Sequence, residues 1–161
     1  MYKEIVADIW SFENDVKVIT TNGNVKGVKI KEFNGKSPYR AVMGKGLALQ
    51  ASKNYPLLPE LLANNIMFNS NDLDKGNRCY YFPEFKIITF PTKHNFYHKA
   101  SYDLIEKSTK ELIDICIKKN IKRIIFPKVG CLNGGLSWFS VKNVIQKYLD
   151  DSNIEFIIVD L

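Results

Sequence analysis

Apolar residues along this 161-residue chain recur at two periods. Short runs rich in β-branched and aromatic residues alternate with stretches where apolar residues return every three or four positions. Glu4–Ala7, Val16–Thr20, Arg123–Phe126 and Glu155–Val159 are runs of the first kind and read as strands. Cys79–Phe82 and Ile87–Phe90 are two more, separated by Pro83-Glu84-Phe85-Lys86 in the manner of a hairpin. Leu47, Ala48, Ala51 and Tyr55 share one helical face that Pro56 terminates. Pro59 suits the first turn of a second helix, followed by Leu61, Leu62 and Ile66. Ser101 is placed to cap a third helix, with Asp103 in its first turn and a stripe from Leu104 through Cys116. Val141, Val144, Ile145, Tyr148 and Leu149 give a fourth. Gly23 to Tyr39 is punctuated by glycine, asparagine and Pro38, and reads as a loop or hairpin.

The predicted order is β-β-loop-α-α-β-β-α-β-α-β. Helix–strand alternation in the later part implies parallel pairing through crossovers, and the middle hairpin adds an antiparallel strand. The expected fold is α/β, a mixed sheet of about six strands with helices on both faces. Ligands in such folds occupy the crevice beyond the carboxyl ends of the strands. No repeat, low-complexity tract or linker divides the chain, so residues 1–161 are expected to form a single domain.

Composition narrows the class. With 45% hydrophobic and 25% charged residues, whole-chain disorder, collagen-like repeats and a disulfide scaffold are excluded. No apolar run reaches the 18 residues of a membrane span, so no membrane partner is expected. Glu4 and Asp8 interrupt the first ten residues, unlike a signal peptide. Cys79, Cys116 and Cys131 form no CxxC pair and read as reduced thiols, which suits a cytoplasmic location. The net charge of +6 is unevenly spread. Residues 17–53 carry eight basic groups against the single acid Glu32, leaving the rest of the chain at −1. This basic segment suits an anionic partner, nucleic acid included, or else is a solvated lysine-rich loop.

Candidate chemistry gathers at two glycine loops. In Ala41-Val42-Met43-Gly44-Lys45-Gly46-Leu47, two glycines precede a helix start, where free N–H groups favour an anion and Lys45 adds a cation. The GxxxxGK[ST] spacing of a Walker loop is absent, so a tight turn is the alternative. In Pro127-Lys128-Val129-Gly130-Cys131-Leu132-Asn133-Gly134-Gly135, a buried-type strand leads through glycines into another helix, a setting for a backbone nest. Together the two loops suggest a split cradle for a diphosphate.

At these loops the chain resembles the macro domain family. The residues that carry the resemblance are "AVMGKGLALQASKNYP", "FPTKHNFYHKASYDLIEKSTKEL" and "IIFPKVGCLNGGLSW", in that order. The nearest branch by pattern holds the DarG antitoxins and the terminal ADP-ribose protein glycohydrolase, and the likeness runs from about Glu4 to the C-terminus. It implies a three-layer α/β/α fold that binds ADP-ribose. By resemblance, Met43, Gly44, Lys45 and Gly46 wrap the diphosphate and distal ribose. Gly130, Cys131, Leu132, Asn133, Gly134 and Gly135 close over it from the other side. Asp8, with Ile9 beside it, matches the aspartate that accepts a hydrogen bond from the adenine amino group; a turn or N-cap residue is the plainer reading. The distal-ribose asparagine falls on Asn22 or Asn24.

In hydrolytic members of this branch a lysine of the "TK" motif acts at C1″ of the ribose; here it is Lys93. As a nucleophile it must shed its proton, which requires burial or neighbouring cations. A strand-end surface lysine is the alternative. The neighbouring His94 is a candidate base or phosphate contact. The expected activity is hydrolysis of an ADP-ribosyl linkage at C1″, to a protein or nucleic-acid acceptor, or of ADP-ribose 1″-phosphate. The alternative is a reader or scavenger of ADP-ribose-like nucleotides without turnover. No metal or other cofactor is expected, and a monomer is.

Three departures stand out. The catalytic aspartate that the terminal glycohydrolase carries in its late loop corresponds to Gly134, the antitoxin pattern "GCGNGGL" has glycine where this chain has Leu132, and Gly23–Tyr39 is longer than the usual loop. His94 and His98, spaced i, i+4, make a weak metal pair, and Cys131 a weak nucleophile. Trp138, Tyr148 and Tyr80-Tyr81-Phe82 read as core.

Overall fold

A computed structural model of the chain describes residues 2–29 and 37–160. Lys31, Glu32 and Lys36 of the basic segment lie outside the described residues.

Six strands form one sheet: β1 (Tyr2–Val6), β2 (Val16–Thr21), β5 (Tyr80–Phe82), β6 (Ile87–Pro91), β7 (Arg123–Pro127) and β8 (Glu155–Asp160). Their order across the sheet is β1-β8-β7-β2-β6-β5. All neighbours run parallel except β5, which returns antiparallel on β6 with Tyr81 opposite Ile88. The mixed six-stranded sheet and the middle hairpin are as the pattern predicts. Strands β3 (Val25–Gly27) and β4 (Tyr39–Ala41) pair separately and antiparallel, with Lys26 opposite Arg40.

The helices are α1 (Gly46–Asn54), α2 (Leu58–Phe68), α3 (Tyr102–Lys118) and α4 (Trp138–Asp151). Successive strand residues point to opposite faces, and this divides the core in two. Ile124, Phe126, Phe156 and Ile158 bury against Ile105, Leu112, Val141 and Ile145 of α3 and α4. Ile125, Ile157 and Val159 bury against Leu47, Ala51, Leu58 and Leu62 of α1 and α2. The strands read as near-continuous apolar runs because both faces are covered. The result is three layers, α/β/α.

The predicted Ser101 cap is present, and the structure adds a second at Ser137. Ser101 Oγ accepts from Leu104 N (3.2 Å) and Asp103 sits in the first turn of α3. Ser137 Oγ caps α4 by accepting from Ser140 N (3.2 Å). Helix α1 differs. Lys45 stands at its N-cap in extended conformation with no side-chain cap bond, which leaves the first N–H groups of α1 without a side-chain acceptor.

The aromatic strand residues are structural. Phe82 is buried, and Tyr80 donates its hydroxyl to Gly76 O (2.7 Å). Trp138 Nε1 donates to Glu4, tying α4 to the edge strand β1. No helix among the described residues is long and apolar enough to cross a membrane.

Candidate functional site

Strand order dictates where a crevice opens. From β2 the chain passes through α1 and α2 to β5 and β6 on one side; from β7 it passes through α4 to β8 on the other. β2 and β7 are neighbours, so the connections diverge above their carboxyl ends. A cleft of about 700 Å³ lies there, lined by Thr20 and Thr21 of β2, Thr92 after β6, Pro127 of β7, and Val159 and Asp160 of β8. That volume is in the range of small-molecule and cofactor sites.

Both glycine loops form its walls. Gly44, Lys45 and Gly46 line one side; Gly130, Cys131, Leu132, Asn133 and Gly134 line the other. Gly46 has φ +55°, in the left-handed region, and a Cβ there would stand 2.7 Å from Asn133 Nδ2. The two loops therefore touch where α1 begins. Gly130 has φ +77°, and a Cβ on Gly134 would meet Gly130 O at 2.5 Å. Hydrogen bonds within the late loop, including Leu136 N to Gly130 O (2.9 Å), hold its shape.

Lys93 also lines the cleft. Its Nζ donates to Asn133 O (3.0 Å), bridging the end of β6 to the late loop. Burial, reinforced by the positive charge of Lys45, holds its pKa below the usual lysine range. That is the direction a nucleophilic amine requires. Lys128 is held charged by Asp160, 2.8 Å away.

Asn22 lines the cleft, its Nδ2 donating to Val42 O (3.1 Å) and its Oδ1 accepting from Asn24 N (2.9 Å). Asn24 turns elsewhere. Its Nδ2 donates to Asn95 Oδ1 (3.0 Å) and its Oδ1 accepts from Phe96 N (2.6 Å).

Several candidates lie outside the cleft lining. Met43 and Ile9 are buried in the α1/α2 core, so their side chains are committed to packing. Asp8 caps the single 3-10 turn Ile9–Ser11, with Oδ1 accepting from Trp10 N (3.0 Å), the plainer of its two readings. Gly135 (φ +74°) faces the stem of Lys99. His94 is exposed, and its Nδ1 lies 3.4 Å from Asn77 Nδ2 rather than along the cleft. His94 and His98 sit in a loop, not on a helix face, which removes the geometric reason for pairing them. Burial raises the pKa of the Cys131 thiol, and its Sγ donates to Val129 O (3.4 Å), a poor state for a nucleophile.

The cleft has walls that motif reasoning missed. Phe96 and Tyr97 line its mouth at 56% and 69% exposure, as does Gln50, whose Oε1 accepts from Trp10 Nε1 (2.7 Å). Leu132, 76% exposed, also lines the cleft. The threonines, Val159 and Asp160 were findable from the rule that strand carboxyl ends build such sites. The aromatic doublet directly after "TKH" carried a weaker signal.

The comparisons agree with this architecture. Residues 75–145 match the macro domain family model. The chain is 29% identical over 120 residues to a DNA ADP-ribosyl glycohydrolase of Thermus aquaticus, an alignment that takes up 68% of this chain and 31% of that protein. It is 25% identical over 122 residues to the human ADP-ribose glycohydrolase OARD1, covering 74% of each. In three dimensions it superposes on the macrodomain of Thermus aquaticus DarG with a TM-score of 0.78 at 23% identity, over 100% of this chain and 99% of that one. It superposes on Thermosipho africanus DarTG in complex with ADP-ribose with a TM-score of 0.76 at 21% identity, over 99% of this chain and 42% of that one. Family model, relatives and fold converge on one likeness, that to macro domain proteins.

Proposed function

We propose that this chain binds ADP-ribose in the cleft and hydrolyses an ADP-ribosyl linkage at C1″. The observation that carries the proposal is Lys93 Nζ, 3.0 Å from Asn133 O between the two glycine loops, with its pKa held down by burial and Lys45. The names of the relatives, DNA ADP-ribosyl glycohydrolase and ADP-ribose glycohydrolase, support the same chemistry.

In this reading the uncapped N-terminus of α1, Gly44, Lys45 and the Gly130–Gly135 loop hold the diphosphate, through backbone N–H groups and one cation. Asn22, already in the cleft, takes the distal ribose rather than Asn24, and an adenine contact from Asp8 or Ile9 would need a side chain that the structure gives to a cap or to the core. Met43 shapes its loop from within the core. Lys93, once neutral, forms a bond from Nζ to C1″ as the bond from C1″ to the acceptor breaks. The acceptor departs with the electron pair and takes a proton from solvent. Water then adds at C1″ and displaces Nζ, so one water is consumed and ADP-ribose and the free acceptor are released. His94, exposed beside Lys93, is at most a proton carrier to solvent in this scheme.

The test is single-turnover release of ADP-ribose from ADP-ribosylated substrate by wild-type protein and Lys93→Ala, with ADP-ribose affinity measured by calorimetry. Loss of turnover by about 10²-fold or more with retained affinity is expected. Retained turnover sinks the mechanism.

A second reading, a binder without turnover, is favoured by Gly134, where no side chain and hence no second acid fits. Binding with no product from any ADP-ribosylated substrate decides for it. The exposed Lys26 and Lys29 at the β3–β4 pair, continuous with the Gly44–Gly46 loop, suit contact with a nucleic-acid backbone. Affinity for an ADP-ribosylated oligonucleotide then falls steeply with salt, and a flat dependence removes that contact. We take the working unit to be a monomer of the single domain 1–161, in the cytoplasm.

A further inference from the structure

Lys45, Lys93 and Lys128 line the cleft, and Asp160 is the one carboxylate among the described residues that do so. A diphosphate gains nothing from an acid beside it, so the place of this acid carries information. Strands β7 and β8 run parallel with Pro127 opposite Val159, which sets Lys128 beside Asp160 at the strand ends. Lys128 Nζ donates to Asp160 Oδ2 (2.8 Å), and Oδ1 stays uncommitted among the described residues. The backbone of Asp160 is fixed from its other side, since Val6 of β1 stands opposite and Ala7 N donates to Asp160 O (3.3 Å). The carboxylate is therefore held in place and still half exposed, at 54%. An ion pair this open adds little to stability, so the fold alone gives small reason for an acid here.

We infer that Asp160 reads the nucleoside end of the ligand: its carboxylate accepts from a hydroxyl of the adenosine ribose and repels a phosphate carried there, so the cleft takes ADP-ribose and rejects ADP-ribose 2′-phosphate. The inference rests on the ADP-ribose reading and deepens it. Strand order supplies the placement. Lys93 follows β6 and Asp160 ends β8, with β2 and β7 between them. Three strand spacings separate the two ends of the cleft, about 14 Å. With C1″ at Lys93 and the diphosphate between the glycine loops, the remainder of ADP-ribose passes β7 and reaches β8 with its second sugar. A carboxylate offers only acceptors, which a sugar hydroxyl satisfies and a phosphate does not. Dinucleotide-binding folds use an acid in the same sense, accepting from the ribose 2′-hydroxyl, with arginine in its vicinity where a 2′-phosphate is taken instead. Lys128 is a positioning residue: it orients the carboxylate through Oδ2 and balances part of its charge.

The test is calorimetric Kd for ADP-ribose and for ADP-ribose 2′-phosphate at one low ionic strength, with wild type, Asp160→Asn and Lys128→Met. Wild type should bind ADP-ribose at least tenfold more tightly than the 2′-phosphate. Asp160→Asn removes the charge and keeps an acceptor, so the ratio should fall below threefold, chiefly because the 2′-phosphate binds more tightly. Lys128→Met leaves the carboxylate without its counter-ion, so the ratio should widen. Opposite movements of the ratio are the signature, because a pair that merely braces β7 against β8 would weaken both ligands alike in both variants. Equal affinity of wild type for the two ligands, or an unchanged ratio in Asp160→Asn, overturns the assignment and leaves the ADP-ribose reading standing. Wild type that binds neither ligand overturns both. Wild type that shows the preference but releases no ADP-ribose from ADP-ribosylated substrate supports the assignment and sinks only the hydrolysis.

Discussion

Gly46 opens helix α1 in a left-handed conformation, φ +55°, with its α-carbon turned so that a Cβ would lie 2.7 Å from Asn133 Nδ2. The two residues are far apart in sequence, yet they set the width of the cleft where its walls meet. Gly46→Ala should cost about 1–2 kcal/mol from the left-handed backbone alone. The displaced Asn133 amide should in addition weaken ADP-ribose binding. Urea denaturation and calorimetry measure the two effects separately. A variant with wild-type affinity would show that the contact between the loops is incidental.

Gly134 is the position where an acid would be wanted for a lysine–aspartate pair, and it has no room. A Cβ would approach Gly130 O to 2.5 Å and the Ala100 Cβ to 2.8 Å. Gly134→Asp should therefore destabilise the fold by roughly 2–3 kcal/mol and lower turnover rather than raise it. Gly134→Ala should carry most of the same penalty, which separates the steric cause from the charge. Thermal denaturation of both variants is the measurement.

Lys93 carries a pH signature. Burial and the Lys45 charge lower its folded pKa below 10.5. The neutral amine is therefore populated at lower pH than for an ordinary lysine, and kcat/KM should rise with pH and level off at an inflection below 10.5. In the folding equilibrium, the unfolded chain binds more protons between the two pKa values, so this group's contribution to stability rises with pH across that window. Lys93→Met should remove both effects, with no loss of stability near neutrality. A pH–rate profile without an inflection below 10.5 would contradict the nucleophile role.

Asp74 anchors the segment that presents Asn77 to the Lys93 carbonyl. It accepts from Arg78 Nε (2.5 Å) and Gly76 N (2.9 Å), and Lys107 lies 3.6 Å away. Burial pushes its pKa up, but the hydrogen bonds from Arg78 and Gly76 and the charges of Arg78 and Lys107 outweigh it, and the net shift is downward. A lowered carboxylate pKa stabilises the fold above the unfolded value of about 4, and that contribution is lost as pH falls through the folded value. Asp74→Asn should cost about 2 kcal/mol at pH 7. It should also flatten the acid limb of the stability curve, followed by denaturation between pH 2 and 7.

Much of the fold was legible because it rests on local physics. Strand runs such as Ile124–Phe126 are apolar on both faces, and the Ser101 cap and the Pro56 stop are chemistry of adjacent residues. Periodicity, caps and crossover handedness then leave few topologies. The two glycine loops and Lys93 were legible for the same reason, since each motif is contiguous.

What the sequence by itself determined, then, is the elements, the layered α/β class and the presence of two glycine loops entering helices. Only the tertiary structure decided which candidates meet. Asn22 and Asn24 are two residues apart in one polar stretch, but the first faces the cleft and the second holds the Phe96 loop. Asp8, Ile9 and Met43 share the motifs but give their side chains to a cap or to the core. The exclusion of a side chain at Gly134 depends on Gly130 O and Ala100, and the lowered Lys93 pKa on Lys45, 48 positions earlier in the chain. These are through-space effects between segments brought together by the sheet order, and no local pattern encodes them.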